Sequence, residues 1–230
     1  MVDAPAFAKP VALFSALEAG ALTEIRSVAR VRSVEAGSVF FREGDPAAAF
    51  FVLHAGSVKL TQLTPEGHQV VLRLIAPGDA FGGVAAVGGE VYPVTAEAVT
   101  DSSALEWPGS VMAGLMERHP KLALNALRFI AARLHELQVQ YRQLATEKVE
   151  RRVARALLGL VRQAGRRVES GVLIDLPLSR DDIAQMTGTT LYTVSRIVSR
   201  FEAEGILEAG RQRVVIRNPH GLLKIADDLV

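Results

Sequence analysis

Six apolar side chains, Leu127, Ile130, Leu134, Leu137, Tyr141 and Leu144, follow one another at steps of 3, 4, 3, 4 and 3 residues. That alternation is the a/d seam of a coiled coil, and it commits the surrounding chain to a long helix with one apolar edge. The helical pattern runs from about Val111 to Thr146. At about 1.5 Å per residue such a helix reaches about 50 Å, more than a small domain needs to cover itself. Its apolar edge needs a partner. A second copy of the chain in parallel register fits the regularity and the length best; the alternative is a helix buried on its own sandwich. The 230 residues leave room for a larger domain before this helix and a smaller one after it.

Ahead of the seam the texture is that of short strands. Residues 10–32 read as a short helix, with Leu13, Leu17, Ile25, Val28 and Val31 near helical spacing and Ser15 with Glu18 as a capping box. From about 33 to 108, runs rich in Val, Phe, Leu and Ile alternate with turns, and Gly44, Gly56, Gly67 and Gly78 recur at intervals of 12, 11 and 11. Regular strands with glycine turns predict an antiparallel sandwich or barrel. The stretch Val58–Leu63 alternates too loosely to assign faces, and Pro108 closes the region.

After the seam, Glu147 to Arg167 continues as a helix with Val153, Ala156, Leu157 and Leu160 on one face, and Gly165, Gly171 and Pro177 then break it. The boundary between domains is expected near Thr146–Lys148, a direct helix-to-helix junction and a candidate hinge. The segment SRDDIAQMTGTTLYTVSRIVSRFEAEGIL, residues 179–207, is the most informative. Ser179 suits an N-cap, Ile183 and Met186 a buried side, Gly188 a left-handed turn, and Thr190 a second N-cap. In the second helix Val194, Ile197, Val198 and Phe201 form one face; Tyr192, Ser195, Arg196 and Ser199 form the other. Small Ala184 four residues before Gly188 lets the helices approach closely. This is the layout of a helix-turn-helix whose second helix suits the DNA major groove. After Gly205, ILEAGRQRVVIRN reads as two strands around a basic turn, a wing with Arg211 and Arg213 at its tip.

At these residues the chain resembles the cyclic-AMP receptor protein/FNR (Crp/Fnr) family of bacterial transcription regulators. The likeness covers the glycine-punctuated barrel, the long helix, LSRDDIAQMTG and TVSRIVSRFEAEGIL. It implies an α+β chain: an effector-sensing, cyclic-nucleotide-binding-like antiparallel jelly roll over 1–110, a dimerisation helix over 111–146, a winged helix-turn-helix over 147–219 and a tail over 220–230. It further implies a homodimer on palindromic double-stranded DNA. Carried over by position, Arg180 contacts phosphate and base, Thr190 and Thr193 contact phosphate, and Ser195 with Arg196 forms the pair whose arginine reads guanine. Such a bidentate contact is worth about 1–3 kcal/mol of discrimination. Arg200, Arg211 and Arg213 complete the DNA-facing set. Family members commonly carry a glutamate where this chain has Leu191 and Tyr192. The operator therefore departs from the common one at that base pair, and Leu191 suits a thymine methyl instead.

The effector site departs further. Cyclic-AMP-binding members use a glutamate after FxG and an Arg-Ser pair beyond it. Here Gly83 stands for the glutamate, and no arginine lies between Arg73 and Arg118. The Thr-Ser pair of the long helix is replaced by Leu137 and Gln138. A buried phosphate without an arginine is costly, which argues against cyclic AMP. What remains is a rather apolar pocket drawn from Phe81, Gly82, Gly83, Val84, Tyr92, Leu134, Leu137 and Gln138, for an unknown small-molecule effector. LTPEGHQVVL and QLATEKVERRVARALL are similar to the nitrogen-oxide-responsive branch, some of whose members bind haem. Haem needs an axial ligand. His54 and His135 are candidates that read better as structural residues, so no cofactor is assigned and haem stays a minor alternative. The loop with Arg166, Arg167 and Glu169 lies where relatives touch RNA polymerase.

Composition sets the outer limits. Cysteine is absent, which removes thiolate metal sites, the FNR-type cluster, disulfides and Cys nucleophiles. No apolar run approaches the length of about 18 residues that a membrane span takes. Residues 1–14 lack the features of a secretory signal, so the expected location is the cytoplasm. Net charge is −5 over 1–110 but +5 over 148–217, as expected when one domain meets a polyanion. Two rivals come from other classes. A cupin-like barrel enzyme would need converging histidines, but His54 and His68 stand alone, and neither a metal site nor catalysis is expected. A dimeric ligand-binding module that does not touch DNA would have no use for the basic wing, Arg180 and Arg196.

Overall fold

The computed structural model describes residues 11–227; the reading of residues 1–10 as free of a signal, and the last three residues of the expected tail, lie outside that range. Two compact units emerge: 11–62 with 72–136, and 63–71 with 137–227.

The first unit opens with a 3-10 turn at Ala12–Phe14, then α1 (Ala19–Ser27) and β1 (Arg30–Val34). This corrects the single helix expected over 10–32. Ala16 takes a left-handed φ of 54° and interrupts it, and Glu18, with no side-chain bond, stands at the N-cap. The Ser15–Glu18 capping box does not form. Seven further strands follow: β2 (Val39–Phe41), β3 (Ala49–Ala55), β4 (Val58–Leu63), β5 (Gln69–Ile75), β6 (Ala80–Phe81), β7 (Thr95–Ala98) and β8 (Ser102–Pro108). They form two four-stranded sheets, in the orders β1-β8-β3-β6 and β2-β7-β4-β5, with antiparallel pairings. Gly44, Gly56, Gly67 and Gly78 all have φ between 83° and 94° in the connections, so the recurring glycines are the turns of the expected sandwich.

Side chains of the two sheets meet inside in a core of Phe40, Phe41, Phe51, Leu53, Val58, Ile75, Phe81, Tyr92 and small alanines. A second core lies on the other face of β3 and β8. There Phe50, Val52, Leu105 and Trp107 pack on Phe14, Ile25, Met112, Leu115 and Leu122. Trp107 Nε1 donates to Ile25 O at 2.7 Å, and Asn125 Nδ2 donates to Leu13 O and Ser15 O at 3.0 and 2.8 Å, so the buried polar groups there are satisfied.

The expected continuous helix over 111–146 is two helices, α2 (Gly109–Arg118) and α3 (Pro120–Thr146). Pro120 lacks an N–H and forces the residue before it out of the helical region: His119 sits at φ −124°, ψ 80°. The 27 residues of α3 span about 40 Å, not about 50 Å.

In the second unit α4 (Val149–Ala164) follows a break at residues 147–148. It buries Val153, Leu157 and Leu160 as expected, with Ala154 rather than Ala156. It does not reach Arg167. The chain turns at Gly165 into a hairpin, β9 (Gly165–Val168) and β10 (Gly171–Ile174). Then come α5 (Arg180–Thr187), α6 (Leu191–Ala203), the second hairpin β11 (Leu207–Gly210) and β12 (Arg213–Ile216), and α7 (Pro219–Asp227). The four strands form one sheet, β11-β12-β10-β9. No helix of the described residues is long and apolar enough to cross a membrane.

Candidate functional site

Local chemistry fixes the α5–turn–α6 geometry. Ser179 Oγ accepts from Asp182 N at 3.0 Å and Asp182 Oδ2 accepts from Ser179 N at 2.9 Å, a closed capping box. Gly188 ends α5 at φ 61°, ψ 49°. Thr190 Oγ1 accepts from Thr193 N at 3.2 Å and starts α6. Val194, Ile197, Val198 and Phe201 are buried beneath α6. Turned away from them are Leu191, Tyr192, Arg196 and Ser199, all exposed, with Ser195 and Thr193 half-buried. Tyr192 is 78% exposed and Leu191 50%, unusual for large apolar side chains without a partner. A groove of about 610 Å³ runs between the start of α5 at Ser179–Asp181, Leu191 of α6, and the wing tip Ala209–Gln212.

The cations expected on this face divide into two classes. Arg180 is half-buried, with Nη2 3.5 Å from Glu202 Oε2. Arg200 is paired with Glu150 of α4 and lies 3.7 Å from Glu204. Arg213 lies 3.5 Å from Glu208, which also holds Arg217. The hydrogen bond and charge of Arg217, reinforced by Arg213, hold the Glu208 carboxyl below the usual carboxylate value. Arg196 and Arg211 are exposed and have no hydrogen-bond or ion-pair partner among the described residues. Thr190 and Thr193 hydroxyls sit 3.0 Å apart and engage each other. Of the arginines expected on this face, Arg196 on α6 and Arg211 on the wing are therefore the two left exposed and unpaired among the described residues. The loop with Arg166, Arg167 and Glu169 is the tip of the β9–β10 hairpin, with Arg166 3.2 Å from Asp175.

In the first unit, Phe81 and Tyr92 come together with Phe40, Phe41 and Phe51. Tyr92 stacks on Phe41 with centroids 3.7 Å apart, and Phe51 on Phe81 at 5.1 Å. The Tyr92 hydroxyl donates to Ala49 O at 2.6 Å and accepts from Ala49 N at 2.8 Å, and burial raises its pKa. Gly82 is left-handed at φ 69°, Gly83 is exposed and Val84 half-buried. Leu134, Leu137 and Gln138 are exposed on α3.

One group beside the rings escaped the sequence reading. Arg32 of β1 lies 5.8 and 5.6 Å from the centroids of Phe40 and Phe51, donates to Phe40 O at 2.7 Å and stands 3.9 Å from Glu106. The β1–β8 register, invisible in the linear sequence, brings it there. These residues do not fit a cyclic nucleotide: the guanidinium beside the rings is already held, and Glu106 would repel a phosphate. The interior beside these residues is lined by stacked aromatic rings and small alanines. His54, with Nδ1 buried and unbonded, sits at a β3 bulge, and His135 is exposed. No cluster of three or more His, Cys, Asp or Glu able to hold a metal occurs among the described residues.

Comparison with known proteins agrees with both halves. A cyclic nucleotide-binding domain model matches residues 31–119, and a Crp-like helix-turn-helix domain model matches 151–225. The chain is 29% identical over 199 residues to the transcriptional activator protein FnrA of Stutzerimonas stutzeri, covering 86% of this chain and 81% of the relative. It is similar to the solved structure of FixK2 from Bradyrhizobium japonicum, with a TM-score of 0.78, 28% identity, and coverage of 86% and 97%. A regulatory protein of Silicibacter pomeroyi DSS-3 is 31% identical, with a TM-score of 0.62 and coverage of 87% and 88%. The relatives are regulators of transcription rather than enzymes, and with a sandwich, a long helix and a winged helix-turn-helix in the same order, this chain belongs to the Crp/Fnr family of DNA-binding transcription regulators.

Proposed function

We propose that the protein acts as a homodimer that reads a two-fold symmetric DNA site through α6, under the control of a small molecule sensed by the sandwich. The observation that carries this reading is the division of cations on the α5–α6–wing face: Arg196 and Arg211 stay uncommitted while their neighbours are spent on carboxylates. Arg196 reads guanine. Ser195 and Tyr192 offer hydroxyls to base edges or phosphate, and Leu191 offers an apolar surface to a thymine methyl. Arg180, Thr190, Thr193, Arg211 and Arg213 line the backbone side, and Arg200 supports α6 from behind through Glu150. The exposed seam Leu127, Ile130, Leu134, Leu137, Tyr141 and Leu144 supports pairing of two chains. Pairing sets the two α6 helices about 34 Å apart, one DNA turn.

In this scheme 1–110 senses, 111–146 dimerises and 147–219 reads DNA. The effector is a small, mainly apolar molecule other than a cyclic nucleotide, for which Phe81 and Tyr92 supply rings and Val84 an aliphatic side chain. The likeness to the nitrogen-oxide-responsive branch makes a nitrogen oxide one candidate signal. The β9–β10 tip with Arg166, Arg167 and Glu169 is the surface for RNA polymerase, and the protein works in the cytoplasm. The test is selection of full-length protein on random duplexes, then fluorescence anisotropy across a salt series. A palindromic word, bound with an affinity that falls steeply with salt, supports the reading. Enrichment of no two-fold word, with or without cell extract to supply the effector, overturns it.

A further inference from the structure

The junction between α3 and α4 is held by a guanidinium with three carbonyls around it. Arg152, on the first turns of α4, donates from Nη1 to Glu147 O at 2.8 Å, from Nε to Thr187 O at 3.0 Å, and from Nη2 to Gly188 O at 3.4 Å. Glu147 is the residue next to α3, and its own N–H continues the helix ladder to Gln143 O at 2.9 Å. Its carboxylate is fixed by Arg155 Nε at 3.1 Å, and Arg155 is 3.5 Å from Asp227 of α7. Thr187 and Gly188 are the last residue and the C-cap of α5, whose carbonyls have no partner within the helix. A single planar side chain therefore ties the end of the seam helix to the turn that sets the angle between α5 and α6. A second contact runs in parallel: a Cβ built on Gly188 would stand 2.9 Å from Leu144 Cδ1.

We propose that Arg152 is a positioning residue for DNA reading: it fixes the α5–α6 pair to the C-terminal end of α3, and so sets the spacing and phase of the two recognition helices of a dimer. The inference rests on the dimeric DNA-reading function proposed above. A guanidinium fork is rigid, and its three donors point in fixed directions in one plane. Rotation of the turn about the end of α3 breaks at least one of the three bonds. Lysine, a compact point charge on a flexible stem, would bond one carbonyl at a time and let the turn rotate. Arg152 touches no DNA in this scheme. It acts through the turn, on a carbonyl side of α5 that also favours positive charge.

The experiment uses the full chain, the palindromic duplex recovered by selection, and versions of that duplex with the central spacer one base pair longer or shorter. Each added base pair moves a half-site by about 3.4 Å and turns it by about 35°. The unmodified protein should bind the selected spacer best. Arg152→Gln should bind that duplex about tenfold more weakly and lose most of its discrimination among the three spacers. Arg152→Lys carries the same test if the glutamine variant does not fold, and its melting temperature is measured alongside. An unchanged preference among spacers overturns the proposal, whether affinities stay the same or fall together; a parallel fall means that Arg152 only stabilises its domain. If the unmodified protein itself shows no preference for a two-fold site, the DNA-reading function fails first, and the role of Arg152 fails with it.

Discussion

The seam of α3 gives the most quantitative handle on the proposed dimer. Leu134 is 57% exposed in a single chain, among neighbours exposed to between 48% and 77%. Burying a leucine completely is worth about 1.5–3 kcal/mol, so covering the exposed part of Leu134 contributes about 1–1.5 kcal/mol per chain. Symmetry places two copies in one interface, which makes the contribution about 2–3 kcal/mol per dimer. Leu134→Ala removes most of that, and at about 1.4 kcal/mol per decade the dimer dissociation constant should rise by about 30-fold to 100-fold. The melting temperature of a single chain should hardly move, because the side chain touches neither core of its own sandwich. Leu134→Glu is harsher: two carboxylates brought face to face in an apolar seam should leave monomers. Sedimentation velocity over a dilution series reads both variants. A dissociation constant that moves by less than about threefold for Leu134→Ala, or a dimer that survives Leu134→Glu, would refute the seam.

Three further outcomes follow from the reader unit and the α1–α2 junction. Arg196→Ala should lower affinity for the selected duplex by about 10-fold to 100-fold, with little effect on a scrambled duplex and none on the dimer, as measured by anisotropy and sedimentation. Arg200→Ala and Arg211→Ala should behave oppositely: the first loses its pairing with Glu150 and lowers the melting temperature, while the second reduces the salt slope of DNA binding by about 1 and leaves the melt alone. Glu24 accepts from His119 Nε2 at 2.7 Å and from Arg118 at 2.8 Å, and these bonds hold its carboxyl below its ordinary value. A depressed carboxylate contributes stability that is present above its unfolded value and lost as pH falls through the folded one. Denaturant titrations should show that Glu24→Gln weakens the protein at neutral pH, with the difference from the parent closing in that acid window.

What the sequence made legible follows from how local each signal is. The caps Ser179 and Thr190, the left-handed Gly188, and the buried stripe Val194, Ile197, Val198 and Phe201 are set by residues within one or two turns of each other, and all appear where the pattern places them. The helix break at Pro120 was equally local but hidden by the apolar periodicity on either side of it. The β9–β10 hairpin was missed because a helical pattern in α4 runs straight into Arg166 and Arg167; only the pairing of Val172 with Arg167 and Ile216 turns that stretch into strands. β4 shows why its faces were unreadable: Val58 and Thr61, three apart, are both buried, and Leu63 is 64% exposed. Arg32 beside the inner rings, and Arg152 across the α5 turn, are contacts between residues far apart in the chain or in different elements. No spacing rule reaches them.

Net charge does not say which individual cations are paired. The net +5 of residues 148–217 is carried by 13 arginines and lysines. Arg152 and Arg155 are spent on the α3–α4 junction, Arg166 on Asp175, Arg180 on Glu202, Arg200 on Glu150 and Glu204, and Arg213 and Arg217 on Glu208. These pairs shape the unit: they fasten α4 to α6 and one strand of the wing to the other. A half-exposed arginine shared with a carboxylate gains little from that pairing and can be drawn to phosphate at small cost. In the proposed complex Arg180 and Arg213 would therefore leave Glu202 and Glu208 for phosphate at small cost. Arg196 differs in kind. No hydrogen-bond or ion-pair partner restrains it among the described residues, and the apolar face beneath α6 fixes the helix from which it projects. A base edge read by a fork needs that combination of rigid backbone and unspent donors, and α6 has it at position 196.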